Sequence, residues 1–149
     1  MCSMQKLQTR AAPRKTILVV DDNPAWGLLV CDLLGSEYHA IQCLNGAEAE
    51  AAYAKYMPDW VWMDISMPGV NGFVAARAIL ARWRNARIVF VTQHSENGFR
   101  SEAASIGTVG YVLKDHMSEA LDLLRREPVP LLSPNVAMGN ASSCRLATR

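Results

Sequence analysis

No stretch of this sequence is apolar for long enough to cross a bilayer. Its hydrophobic runs, such as 17–20 (ILVV) and 60–63 (WVWM), fall far short of the roughly 18 residues that a spanning helix requires. No excess of charge of either sign is present: 15 Lys plus Arg face 14 Asp plus Glu, for a net charge of +1. That balance gives no whole-chain argument for nucleic acid or for an anionic membrane as a partner. Residues 1–15 are polar and basic with no apolar h-region, which argues against a secretory leader. The four cysteines, Cys2, Cys31, Cys43 and Cys144, form no C-x-x-C pair and have no histidine at metal-ligand spacing. Cys31 and Cys43 lie in apolar segments and read as buried free thiols, which fits a reducing, cytoplasmic compartment. Internal repeats are absent as well. What remains, 149 residues of which half are hydrophobic and 19% charged, describes one globular domain with a sizeable core.

The pattern along the chain alternates. Residues 1–15 read as a flexible leader. Residues 16–20 (TILVV) are a β-branched apolar run, the signature of a strand buried on both faces. Asn23 is a candidate helix cap, Pro24 suits a first turn, 25–34 carries a helical pattern and Gly35 stops it. Residues 38–43 follow as a strand, Asn45-Gly46 as a turn, and the Ala- and Glu-rich 47–56 as a helix broken by Pro58. A third strand at 59–64 (DWVWMD) leads into the loop 66–71 (SMPGVN). The helix at 72–84 places Phe73, Ala76, Ile79, Leu80 and Trp83 on one stripe. A strand at 87–91, a helix at 96–106, a strand at 110–113 and a helix at 118–127 capped by Ser118 complete the pattern. Residues 128–149, rich in Pro, Ser, Asn and Ala, read as a flexible tail. Strands and helices in strict alternation predict an α/β fold, a parallel sheet covered by helices on both faces.

In such a sheet, ligands bind beyond the carboxyl ends of the strands. The residues at those ends are Asp21 and Asp22, then Asp64, then Thr92, then Lys114. Clustered carboxylates repel and raise one another's pKa unless a cation neutralises them. A hard divalent ion such as Mg²⁺ does this with oxygen ligands. Lys114 adds a point charge suited to phosphate, and Thr92 offers a hydroxyl to a phosphate oxygen. A carboxylate beside a metal can act as a nucleophile and form an aspartyl phosphate. Asp64, alone at the end of the central strand and followed by a Met-Pro-Gly loop, is the candidate.

The segments ILVVDDNP, VWMDISMPGVNGF, IVFVTQHSE and GYVLKD together resemble a bacterial two-component response-regulator receiver domain over about residues 16–127. TQHSE and GYVLKD look most like the subgroup that carries a LuxR-type helix-turn-helix output domain. The resemblance implies a flavodoxin-like, doubly wound sheet of five strands in the order 2-1-3-4-5 with five helices. It implies that Asp64 accepts a phosphoryl group from a histidine kinase or a histidine phosphotransfer protein. It also implies that Asp21 and Asp22 organise Mg²⁺, with Asp22 and Asp64 as direct side-chain ligands and the Ser66 carbonyl as the third protein ligand. Thr92 and Lys114 would contact the phosphoryl group, and Tyr111 matches the aromatic that moves with the Thr. The output would be an altered surface of helix 4, strand 5 and helix 5, read by a protein partner or a second copy. Such a domain is a switch, not a turnover enzyme.

The sequence departs from the family at several points. Asp115 stands where other subgroups place a Pro, and Gln93 follows Thr92 where many members have a small residue. A long side chain there restricts access to the phosphoryl group. Trp60 and Trp62 replace central-strand aliphatics. Segment 128–149 is far shorter than the roughly 55–65 residues of an output domain, so the expectation is a stand-alone or truncated receiver with no direct DNA binding.

Two other functions compete with the switch. A constitutive interaction module would keep the fold and lose phosphorylation. A haloacid-dehalogenase-type phosphatase would need D-x-D after the first strand, where this chain has D-D-N. Bland readings stand beside the sharp ones for single residues. His39, His94 and His116 read as surface or rim residues. Trp26, one turn after Asp22, either flanks the site or packs on the first helix. The Asn140–Ser142 sequon has no secretory leader to support it.

Overall fold

The apolar runs become the inner strands of a sheet because both of their faces can be buried only between two helical layers. The computed structural model describes residues 13–126. The leader 1–12 and tail 127–149, with Cys2, Cys144 and the sequon, lie outside the described residues. The order is β1 (Lys15–Val20), α1 (Pro24–Leu34), β2 (Tyr38–Cys43), α2 (Ala49–Tyr56), β3 (Trp60–Met63), α3 (Gly72–Arg82), β4 (Ile88–Thr92), α4 (Asn97–Ile106), β5 (Gly110–Leu113) and α5 (Met117–Arg125). All strand pairs are parallel, in the order β2-β1-β3-β4-β5, the flavodoxin-like arrangement.

Alternation along each strand divides the core in two. Leu18, Val20, Val61, Met63, Ile88 and Phe90 face a layer built from α2, α3 and α4. Ile17, Val19, Trp60, Trp62, Val89, Val91 and Val112 face α1 and α5. The two tryptophans of β3 therefore share one side. Both are almost wholly buried, and neither indole N–H has a hydrogen-bond partner. Cys43 is buried and Cys31 half-buried; both are free thiols. Among the described residues no helix is long and apolar enough to cross a membrane.

Caps explain most of the boundaries. The Asn23 carboxamide accepts from the N–H groups of Ala25 and Trp26, and Gly35 ends α1 at φ 57°. Several boundaries differ from expectation: β1 takes in Lys15 from the expected leader, β3 is confined to Trp60–Met63, β4 runs Ile88–Thr92 rather than 87–91, and α4 starts at Asn97 rather than 96. Asn45 accepts from Glu48 N–H, so 46–48 forms a 3-10 turn and the α-helix starts at Ala49, not 47. Its end agrees with expectation: the helix stops at Tyr56, with Met57 in the left-handed region at φ 42°. α3 ends at Arg82, two residues early, where Trp83 turns out of the helix and its ring packs on Tyr53. Ser118 is not the cap of α5. The helix begins at Met117, and His116 occupies the cap position without a side-chain hydrogen bond. The backbone takes the place of a side-chain cap, with His116 N–H donating to Leu113 O and Glu119 N–H to His116 O.

Candidate functional site

Ladder hydrogen bonds continue one residue past the strand ends and fix the rim. Asp21 N–H donates to Cys43 O at 3.0 Å, Asp64 N–H to Val20 O at 2.8 Å, and Lys114 N–H to Thr92 O at 2.8 Å. With Val20 in register with Met63, Asp21 and Asp64 emerge side by side. Asp22 follows on the exposed shoulder. The three carboxylates offer oxygens that all lie within 4.8 Å of one another.

One cation enters this cluster. Lys114 Nζ lies 2.5 Å from Asp21 Oδ2 and 3.5 Å from Asp64 Oδ2. Asp21 Oδ1 accepts from Asn23 N–H at 2.9 Å, and Asp64 Oδ1 from Ile65 N–H at 2.9 Å. Burial pushes the Asp64 carboxyl above the usual range. Lys114 and the Ile65 N–H pull it down and Asp21 pushes it up, and the balance stays upward. Gly72 at the start of α3 lets the helix pack against the Asp64 backbone. A Cβ there would overlap the Asp64 carbonyl oxygen.

The carboxylates open onto a cavity of about 240 Å³ lined by Asp21, Asp22, Asn23, Asp64, Ser66, Gln93, His94 and Lys114. Thr92 is not on that wall. It is fully buried, and its hydroxyl accepts from His94 N–H at 3.3 Å. Gln93 is exposed at the mouth, as its position after Thr92 implies.

Sequence reasoning undervalued His94. Its Nε2 shares a hydrogen bond of 2.5 Å with Ser66 Oγ, spanning from the loop after β4 to the loop after β3. Its Nδ1 lies 3.6 Å from Glu96, and its carbonyl accepts from Tyr111 OH at 2.7 Å. Tyr111 is half-buried. Its hydroxyl pKa is raised by burial, against Arg100 and with Glu96 and Asp64. The His94 ring packs on Phe99 at 4.8 Å, Phe99 on Phe73 at 5.8 Å, Phe73 on Phe90 at 5.1 Å, and Phe90 on Tyr111 at 6.4 Å. The spacing of 28 residues between Ser66 and His94 carries no periodic signal that could have announced their contact. Trp26 flanks the site, with its ring 4.9 Å from Lys114 Nζ. His116 and His39 are exposed and away from the cavity lining.

The donor set suits a hard divalent cation. All its side-chain ligands are oxygens, and buried Asp21 Oδ2 has the ammonium as its ionic partner but no conventional hydrogen-bond donor. Asp21, Asp22 and Asp64 could hold such an ion.

Comparison with known proteins agrees with this geometry. The family model for the response regulator receiver domain matches residues 17–126. The transcriptional regulatory protein DegU of Brevibacillus brevis is 30% identical over 108 residues, which are 70% of this chain and 46% of DegU. The chemotaxis protein CheY of Halobacterium salinarum is 34% identical over 101 residues, 67% of this chain and 84% of CheY. A crystal structure of a LuxR-family two-component response regulator from an Aurantimonas species superposes with a TM-score of 0.69 at 28% identity. It covers 75% of this chain and 85% of that one. The chain spans under half the length of DegU. A parallel sheet whose strand ends gather three carboxylates and one lysine, matched along its length by that family model, has one reading: the chain belongs to the response regulator receiver domains of two-component signal transduction.

Proposed function

We propose that this receiver is a phosphorylation-activated switch in which Asp64 is the phosphoacceptor. The observation that supports it best is the Asp64 carboxylate, only 7% exposed and yet open to the acidic cavity, 3.5 Å from the Lys114 ammonium. A carboxylate oxygen of Asp64 attacks the phosphorus of a phosphohistidine on a histidine kinase or phosphotransfer protein. The P–N bond breaks, and the leaving imidazole nitrogen takes up a proton. Catalysis here is positioning and charge neutralisation, because phosphoryl transfer asks little more of a protein. Asp22, Asp64 and the Ser66 carbonyl would hold Mg²⁺, with Asp21 organising the site, and the ion supplies positive charge to the phosphoryl oxygens. Lys114 supplies the second positive charge. The buried Thr92 hydroxyl gives up the bond it accepts from His94 N–H as it turns to donate its own proton to a phosphoryl oxygen.

That exchange would free the loop after β4, to which Tyr111 is also tied. The two changes together alter the surface of α4, β5 and α5, a two-state element biased by a local charge. Its reader is a protein partner or a second copy of the chain in the cytoplasm, where histidine kinases present their phosphoryl groups. The domain turns over no free substrate.

The test is intact-mass measurement after incubation with Mg²⁺ and a small phosphodonor. One phosphoryl group is expected on the protein, absent in Asp64→Asn and absent after chelation. An adduct that persists in Asp64→Asn would refute the assignment. No adduct, together with no response to beryllofluoride, would leave a constitutive interaction module.

A further inference from the structure

Lys114 has a long, flexible side chain, and its usefulness depends on where the ammonium is held. The backbone is anchored by Lys114 N–H donating to Thr92 O. Two sides of the ammonium face carboxylates, Asp21 at 2.5 Å and Asp64 at 3.5 Å. Another side meets the ring of Trp26, whose centroid is 4.9 Å from Nζ. The ring itself is well placed. Its residue sits in the first turn of α1, where its backbone N–H donates to the Asn23 cap at 3.3 Å, and it packs against the α1–α5 core. The result is a lysine whose side chain is only 12% exposed.

We propose that Trp26 is a positioning residue for Lys114, its indole face holding the ammonium against the carboxylates and shielded from water. The inference rests on the reading of Asp64 as phosphoacceptor. The chemistry selects an aromatic. An aliphatic side chain would fill the same space but leave the ammonium without an electrostatic partner on that side. A further carboxylate would hold the ammonium more tightly and compete with an incoming phosphoryl group. The negative face of an indole attracts the cation without offering a lone pair, so the ammonium stays available to the phosphoryl oxygen. Trp is the strongest of the aromatic faces in this role and Phe a weaker one.

The test compares wild type with Trp26→Phe and Trp26→Leu in two assays. The first is acylation of Lys114 by an amine-reactive reagent, read by peptide mass mapping in metal-free buffer. The second is the rate of phosphoryl uptake from phosphoramidate at saturating Mg²⁺. The expected order of uptake is wild type, then Phe, then Leu, with Leu slower by about threefold to tenfold. Lys114 labelling rises in the reverse order. Equal labelling in all three proteins would overturn the inference, and so would Phe behaving like Leu, which would assign the effect to bulk alone. Thermal unfolding checks that each variant is folded; if Trp26→Leu is not, Trp26→Met is read in its place. The labelling assay needs no phosphorylation. A wild type that takes up no phosphoryl group and gives no response to beryllofluoride thus refutes the Asp64 reading, while Lys114 labelling still decides the role of Trp26.

Discussion

Replacing Asp64 by asparagine keeps the side chain's shape and removes its charge. In the metal-free protein that charge has two close ionic neighbours that are themselves largely buried, and a third, Asp22, whose repulsion is screened by solvent because it is exposed. At an effective dielectric constant of about 20, Lys114 at 3.5 Å attracts it by about 5 kcal/mol. Asp21, with an oxygen within 4.8 Å, repels it by at least about 3.5 kcal/mol. The two nearly cancel, which leaves the burial of a carboxylate that is 7% exposed. The asparagine carbonyl keeps the bond from Ile65 N–H. Asp64→Asn is therefore expected to be more stable by about 1–3 kcal/mol at pH 7 without divalent ions. In a domain of this size that is a rise in Tm on the order of 5–15 °C.

The pH dependence has a definite sign. The native carboxyl is raised above the ordinary value of 3.8, chiefly by burial. Between those two values the folded protein holds a proton that the unfolded chain has lost. Wild-type stability falls as pH rises through that window, and the deficit is complete above it. The advantage of Asp64→Asn therefore grows from pH 3.8 upward and then levels off. Mg²⁺ narrows the gap by binding native wild type more tightly than the variant. Thermal unfolding followed by circular dichroism with chelator, across pH, measures all three effects. A variant less stable than wild type at pH 7, or a gap indifferent to pH, would refute the reasoning.

Other substitutions test neighbouring arguments. Gly72→Ala, whose Cβ would crowd Ile65 Cα at 2.9 Å as well as the Asp64 carbonyl, should cost about 1–3 kcal/mol in urea unfolding and slow phosphoryl uptake. Gly98→Ala in α4 has open space around it and should be neutral or stabilising by up to about 1 kcal/mol. Asn23→Ala removes the acceptor for two N–H groups of α1 and should cost about 1–2 kcal/mol in the same assay. Tyr111→Phe loses the bond to His94 O and should lower stability by about 1 kcal/mol while leaving phosphoryl uptake intact.

The fold was legible because its signals are local. A β-branched run such as 16–20 has no solvent face to show, and Asn23-Pro24 announces a helix start with its own atoms. The carboxylates and Lys114 were legible for a different reason. The topology itself brings strand ends together, so position along a strand predicts proximity across the sheet. Contacts that depend on loop paths were not legible. His94 reaches Ser66, and Trp26 reaches Lys114, through the shapes of two loops and the tilt of a helix. Thr92 was named from its strand end, but that position does not reveal that His94 N–H already occupies its hydroxyl. Ser118 misled because a good capping residue one step inside α5 looks the same in sequence as one at its border.

The aromatic contacts around His94 form a closed circuit. They run from His94 through Phe99, Phe73 and Phe90 to Tyr111, whose hydroxyl returns to the His94 carbonyl. An open row of side chains relaxes one member at a time, whereas a closed one behaves as a geared linkage. Moving Phe99 with α4 strains two ring contacts, each worth about 0.5–1.5 kcal/mol beyond its buried area. Moving Tyr111 breaks one hydrogen bond, worth about 0.5–1.5 kcal/mol net, while its contact with Phe90, the widest in the circuit at 6.4 Å, gives way with it. The Tyr111 ring also carries the Arg100 guanidinium at 4.7 Å, so displacement at either end costs a similar amount, and α4 and β5 are yoked to each other at the mouth of the acidic cavity.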